Sequence, residues 1–238
     1  MNLTKAELVP YFEKLKKQSY KSVAVLCVPA VYLPLANEML KDSNILYGVQ
    51  NCYYEESGAF TGEISVKMIK DFNAKTVIVG HRERRNIFNE TDEIVNAKTK
   101  KVLENDLTPI LCFGETLNER NQGLAKDVVF RQIHGALKDI SKENISKIIF
   151  AYEPIWAIGT GMIATGEQAE EIIAYAKKII YDISGKKDIV IIYGGSLKLG
   201  NAKELLKMPS IDGGLVGSAS LNFKDFNAII KSADSLIS

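Results

Sequence analysis

"KIIFAYEPIWAIGTG", Lys147 to Gly161, runs from a β-branched and aromatic segment into a carboxylate, then a proline and a tryptophan, and ends on two glycines. A short apolar run of this composition reads as a buried strand. Glu153 therefore stands at a strand end, a costly place for a charge unless it is paired or used. The same shape recurs along the chain: "SVAVLCVP" from Ser22, "ILYGVQ" from Ile45, "TVIVGH" from Thr76, "TPILCFG" from Thr108, "DIVIIYGG" from Asp188 and "GGLVG" from Gly213. Each run leads into a polar loop and then a segment of helical period. Helix starts are legible in Thr4 with Glu7 as a capping box, in Thr165 before "GEQAEEIIAYAKKII", and in "FKDFNAIIKSA" at the end. Pro10 inside the first helix is expected to kink it, because it has no N–H to give.

Strict alternation of strand and helix implies a parallel sheet with right-handed crossovers, either an open doubly wound sheet or a closed eightfold barrel. "GTGMIATG" from Gly159 is not G-x-G-x-x-G, and "GSLKLGNAK" from Gly195 lacks the Gly-Lys-Ser/Thr of a P-loop, so neither nucleotide fingerprint is present. The chain opens with a helix, and eight helices against seven strands read as an eightfold barrel whose first strand is absent. A natural protein extending upstream of Met1 by one strand and a turn, roughly ten residues, is the expectation from that count. No linker or low-complexity segment interrupts the pattern, so residues 1–238 read as a single domain.

Composition excludes several function classes. With 30 basic and 29 acidic residues the net charge is +1, so no global field recruits nucleic acid or an anionic membrane. Hydrophobic residues make up 46% of the 238, enough for a full core. Cys27, Cys52 and Cys112 are widely spaced without C-x-x-C, and the N-terminal sequence has no signal-peptide pattern, which reads as a reduced cytoplasmic protein. His81 and His134 are the two histidines, and with no Cys cluster they argue against a transition-metal site.

In a parallel barrel the strand C-termini share one rim, where active sites lie. His81, Glu153, the turn Gly194-Gly195-Ser196, and Gly217 with Ser218 all follow strand ends. Glu153 reads either as a rim carboxylate paired with a neighbouring arginine or as a general base, and Arg82 is expected to pair with it in the open state and release it on closure. The neighbouring sequence favours a base, with Pro154 and Trp156 stiffening a hinge, and Gly159 and Gly161 allowing close approach to a ligand. Closure by Ile158 would desolvate Glu153 and raise its pKa. His81 is either a strand-end histidine bonded to backbone or a donor held neutral by a short helix starting in "RERRNIF". "YGGS" and "VGSAS" are either tight turns or, on adjacent final loops, an anion grip made of backbone N–H groups.

Taken together these stretches resemble the triosephosphate isomerase family along the whole chain. "AYEPIWAIGTG" is similar to that family's base and lid, "GHRERR" from Gly80 to its G-H-S-E-R-R, "GAFTGEIS" from Gly58 to its dimer loop, and "YGGS" with "LVGSASL" to its phosphate site. The resemblance implies a (β/α)8 TIM barrel with its first β-strand missing. It implies interconversion of dihydroxyacetone phosphate and D-glyceraldehyde 3-phosphate through an enediolate, without cofactor or metal. It further implies Glu153 as base, His81 as electrophile, the N–H groups of Gly159, Ser196, Gly217 and Ser218 as phosphate ligands, and Leu215 with Ile158 clamping Glu153. A homodimer through Gly58 to Ser65, with Thr61 at the tip, is implied in the same way.

Three departures stand out: Arg82 where the family has Ser, Ser218 where it often has Gly, and a chain that begins at the "MN" ending the family's N-x-K-M-N, whose Asn and Lys belong to the active site. They leave open a second reading, a catalytically weakened paralogue that binds triose phosphates as a sensor or interaction module. Another phosphosugar enzyme on the same barrel is a third, although it would not need Glu153 with this lid.

Overall fold

The computed structural model describes residues 1–158 and 164–237. Seven strands form one parallel sheet in chain order: β1 Val25–Val28, β2 Leu46–Val49, β3 Thr76–Val79, β4 Thr108–Phe113, β5 Ile149–Tyr152, β6 Val190–Tyr193 and β7 Gly213–Gly214. Every strand expected from the apolar runs is present. Among the described residues β1 pairs only with β2 and β7 only with β6, so these two are the edges of the sheet.

Period-2 alternation decides which residues face inward. Val77, Val79, Leu111, Phe113, Phe150, Tyr152, Ile191 and Tyr193 point outward and pack in the large core beneath the helices. Their neighbours Ile78, Ile110, Cys112 and Ala151 form a second, smaller cluster inside the curl, which Cys27 of β1 and Leu215 beyond β7 also join. A flat sheet could not bring residues near both of its edges to one cluster. The sheet is therefore curled, an α/β barrel architecture with helices on the outside, as the sequence implied. The same alternation carries through "FAYE", so Glu153, two residues after Ala151, faces the mouth of the curl.

The helical layer is more divided than the expected eight helices. Eleven α-helices and three short 3-10 helices are present among the described residues, because the loops after β3 and β4 fold into additional short helices. Local capping explains one of them: Thr116 and Glu119 form a capping box at the start of Leu117–Asn121, as Thr4 with Glu7 and Thr165 with Gln168 do at theirs. The first helix, Lys5–Leu15, continues through Pro10 without a break. It buries Leu8, Tyr11, Phe12 and Leu15, and that apolar face holds the turn together despite the missing N–H.

Candidate active site

Three strand ends build the first half of the rim. After β3 the chain turns at Gly80, whose φ of +69° is a left-handed conformation that favours glycine, and enters the helix Arg82–Ile87 with His81 as its N-cap. The helix expected after His81 is present. Arg85 locks this turn to the neighbouring strand: its Nε donates to the Gly80 carbonyl at 3.0 Å, Nη2 to the Cys112 carbonyl at 3.4 Å, and Nη1 pairs with Asp92 at 2.6 Å. Glu90 adds a second brace, receiving Arg84 Nε at 2.7 Å and the buried Lys98 Nζ at 2.5 Å.

Glu153 is buried, with only 2% of its surface exposed. Its Oε1 lies 3.0 Å from His81 Nε2, and its Oε2 accepts the backbone N–H of Arg82 at 2.8 Å. These two sequence-identified groups, 72 positions apart by number, meet in direct contact. On the other side of the ring, His81 Nδ1 accepts the N–H of Glu83 at 3.4 Å. A nitrogen that accepts carries a lone pair, so the proton of the neutral ring sits on Nε2 and points to Glu153. Burial lowers the His81 pKa, while the hydrogen bond and charge of Glu153 raise it, with a smaller lift from Glu83, and the net direction is upward. The helix start expected to keep the ring neutral is thus opposed, in this geometry, by the carboxylate it faces.

The structure corrects the expectation that the Arg82 guanidinium pairs with Glu153. The contact is made by the backbone N–H, and Nη2 of the side chain lies 3.4 Å from Glu83 Oε1 instead. A residue at the first helical position offers its N–H to whatever sits at the helix start, whereas its side chain points back along the surface.

Sequence reasoning passed over Glu115, at the end of "TPILCFGE". It is fully buried, and its Oε1 receives Arg120 Nη1 at 2.9 Å, Trp156 Nε1 at 2.8 Å and the Tyr152 hydroxyl at 3.0 Å. Its carbonyl takes the N–H of Ile155 at 3.1 Å, and Arg120 lies over the Trp156 ring at 4.4 Å. Glu115 thereby anchors the segment that follows Glu153. The criterion that singled out Glu153, a carboxylate just past an apolar run, would have found it.

Behind Glu153 lies Cys112, whose thiol is pushed well up by burial and by the Glu153 charge. Burial also pushes Cys27 up to about 11 and Cys52 up to about 12, and all three cysteines are free.

The other half of the rim is made of small residues. Gly194 lies against Glu153, where an added Cβ would come within 3.0 Å of Cγ, and Gly195 packs against the Tyr193 hydroxyl and Pro154. Ser196 follows, half-buried, its carbonyl accepting Asn201 Nδ2 at 2.8 Å ahead of the helix Leu199–Leu205. Gly217 and Ser218 are exposed on the next loop, at the start of the 3-10 helix Ser218–Leu221. The first loop packs on the strand that leads into the second, since Leu197 fills the space beside Gly214 of β7. Gly159 and Gly161 lie outside the described residues.

The loop Gly58 to Ser65 projects from the end of β2. Every residue from Glu55 to Glu63 is exposed, including Thr61, and Ser65 then caps the helix Val66–Lys70. Phe60 packs at 4.8 Å on Tyr53 yet keeps 40% of its surface in solvent. Among the described residues no helix is long and apolar enough to cross a membrane.

The family model described as "Triosephosphate isomerase" matches residues 1–233. Curated relatives bearing the same name are similar over most of the chain. That of Chloroherpeton thalassium (strain ATCC 35110 / GB-78) is 50% identical over 212 residues, covering 88% of this chain and 82% of that protein. That of Clostridium botulinum (strain Okra / Type B1) is 48% identical over 235 residues, covering 97% and 95%, and that of Endomicrobium trichonymphae is 46% identical over 237 residues, covering 97% and 94%.

Proposed function

Because the chain belongs to the triosephosphate isomerase family, we propose that it interconverts dihydroxyacetone phosphate and D-glyceraldehyde 3-phosphate with Glu153 and His81 as the reacting pair. The observation that carries the reading is their direct contact on the strand-end rim, 3.0 Å between Oε1 and Nε2. Glu153 takes a proton from the carbon beside the substrate carbonyl and returns it to the neighbouring carbon. The carbonyl oxygen replaces Glu153 as acceptor of the Nε2–H, so His81 stabilises the negative charge of the enediolate. Once Glu153 has turned to the substrate, its upward pull on the His81 pKa is relieved and the ring donates as a neutral imidazole.

Phosphate would be held by the N–H groups of Ser196, Gly217 and Ser218, with Gly159 completing the set. The supporting feature is that small residues on the loops after the paired strands β6 and β7 leave backbone accessible to an anion. The reaction moves a proton between two carbons of one substrate and calls for no cofactor.

Two copies are proposed to associate through Gly58 to Ser65. Besides Phe60, the exposed apolar residues Met68, Ile87 and Phe88 follow the neighbouring strands β2 and β3, a grouping that suits a self-complementary surface. Three free thiols suit the reducing cytoplasm as the site of action. A coupled assay on the purified chain tests the function. Turnover of both triose phosphates is expected, and binding of 2-phosphoglycolate without turnover would instead indicate the sensor reading.

A further inference from the structure

Arg82 has no part in the scheme so far beyond its backbone N–H, yet its side chain sits in a chain of charges that ends on the His81 ring. Nη2 lies 3.4 Å from Glu83 Oε1, and Oε2 of the same carboxylate lies 3.8 Å from His81 Nδ1. The Glu83 N–H also addresses Nδ1, at 3.4 Å. Two partners of opposite demand therefore compete for one nitrogen. The backbone N–H requires a lone pair and so a neutral ring, whereas the carboxylate requires a proton and so an imidazolium. The other titratable groups facing the ring region are Glu153 at the end of β5 and, against it, Cys112 of β4.

We propose that Arg82 is a positioning residue that keeps His81 neutral by occupying Glu83 and so leaving Nδ1 to the backbone N–H. The guanidinium stays charged at every working pH and offers several donors in a fixed plane, which suits it to hold the carboxylate by Oε1 and keep Oε2 from closing its 3.8 Å gap to Nδ1. A hydroxyl at this position could add no charge. Helix physics gives no other reason for a cation here, since the first helical turn favours acidic residues. The electrostatic directions agree: Glu83 lifts the His81 pKa and Arg82 lowers it.

The proposal rests on the donor role assigned to His81, but the protonation of the ring is measurable without turnover, so failure of one is distinguishable from failure of the other. With His134 the only other histidine, NMR titration of the ring protons in the unliganded protein, assigned with His134→Gln, reads His81 directly. Arg82→Ser should raise the His81 pKa by about 0.5 to 1 unit, the scale of a partly exposed charge at this range. The acid limb of kcat should move by the same amount with KM unchanged, and Arg82→Lys should restore most of the wild-type value. Glu83→Gln should return the Arg82→Ser variant to the wild-type titration, while changing the wild-type background less. An unaltered His81 titration in Arg82→Ser, or a rise that survives Glu83→Gln, would overturn the assignment.

Discussion

The loops after β3, β4 and β5 and those after β6 and β7 stand on one rim but are held by different means. In the first group, side chains fix side chains: Arg85 ties the His81 turn to β4, Glu115 gathers Arg120, Trp156 and Tyr152 on one oxygen, and Glu153 is held from both sides. In the second, Gly194, Gly195, Gly217 and Ser218 bring backbone forward with little side chain to fix. The difference matches what each half is proposed to do. A proton must move between particular atoms, so the base and donor have to be immobilised. An anion is recognised by N–H groups, which any small residue leaves open.

If this division is right, mutations in the first half cost far more than conservative ones in the second. The largest effect is expected at Glu115→Ala, which strands a half-buried arginine partner and two buried donors. A loss of about 3 to 5 kcal/mol is expected in urea unfolding, and a change under about 1 kcal/mol would remove Glu115 as the anchor. Next come the reacting groups themselves. His81→Gln should lower kcat by about 10² to 10³, and Glu153→Asp by about a hundredfold through misplacing the base by roughly 1 Å. Both variants should keep a wild-type circular dichroism spectrum and bind 2-phosphoglycolate normally.

Gly194→Ala sits on the border between the halves. Its Cβ would lie 3.0 Å from Glu153 Cγ and 3.2 Å from the Tyr152 carbonyl, pushing the carboxylate by a few tenths of an ångström. A fall in kcat of about tenfold with little change in KM is expected. A KM effect alone would move Gly194 into the anion-binding half.

Proton linkage gives a finer test. The His81 pKa is raised in the folded state, so its pairing with Glu153 stabilises the fold fully below the ordinary histidine value of 6.5 and is lost as pH rises through the raised one. The stability gap between wild type and His81→Gln should therefore narrow with rising pH across that window, as followed by denaturant midpoints. A gap that widens would reverse the sign of the pairing. The smallest effect is expected at Ser218→Gly, which keeps the backbone N–H. Both kcat/KM and stability should stay within about 0.5 kcal/mol of wild type.

Much of this architecture was readable from the chain. Seven apolar runs located seven strands, and simple alternation from Phe150 placed Glu153 inward, because period-2 geometry needs no information from elsewhere in the fold. Glu115 was not seen, since its partners Tyr152 and Trp156 lie 37 and 41 positions away and meet it only across the β4 and β5 strand ends. Arg82 was seen as unusual but given the wrong partner. Sequence shows that a guanidinium is present, and only the helix geometry shows that its backbone faces Glu153 while its charge faces Glu83. The extra helix at Leu117–Asn121 was legible in principle, through the same capping box that marked Thr4 and Glu7.

The central claim is that Glu153 carries a proton between two carbons on this rim. Conversion of dihydroxyacetone phosphate in deuterium oxide, with the product trapped and read by NMR, tests it most directly. A proton held on the Glu153 carboxyl between abstraction and return can exchange with solvent, so deuterium should enter carbon 2 of glyceraldehyde 3-phosphate, and Glu153→Asp should slow the appearance of that label by about a hundredfold. Deuterium found only at a carbon other than carbon 2, or an Asp variant as fast as wild type, would contradict the account.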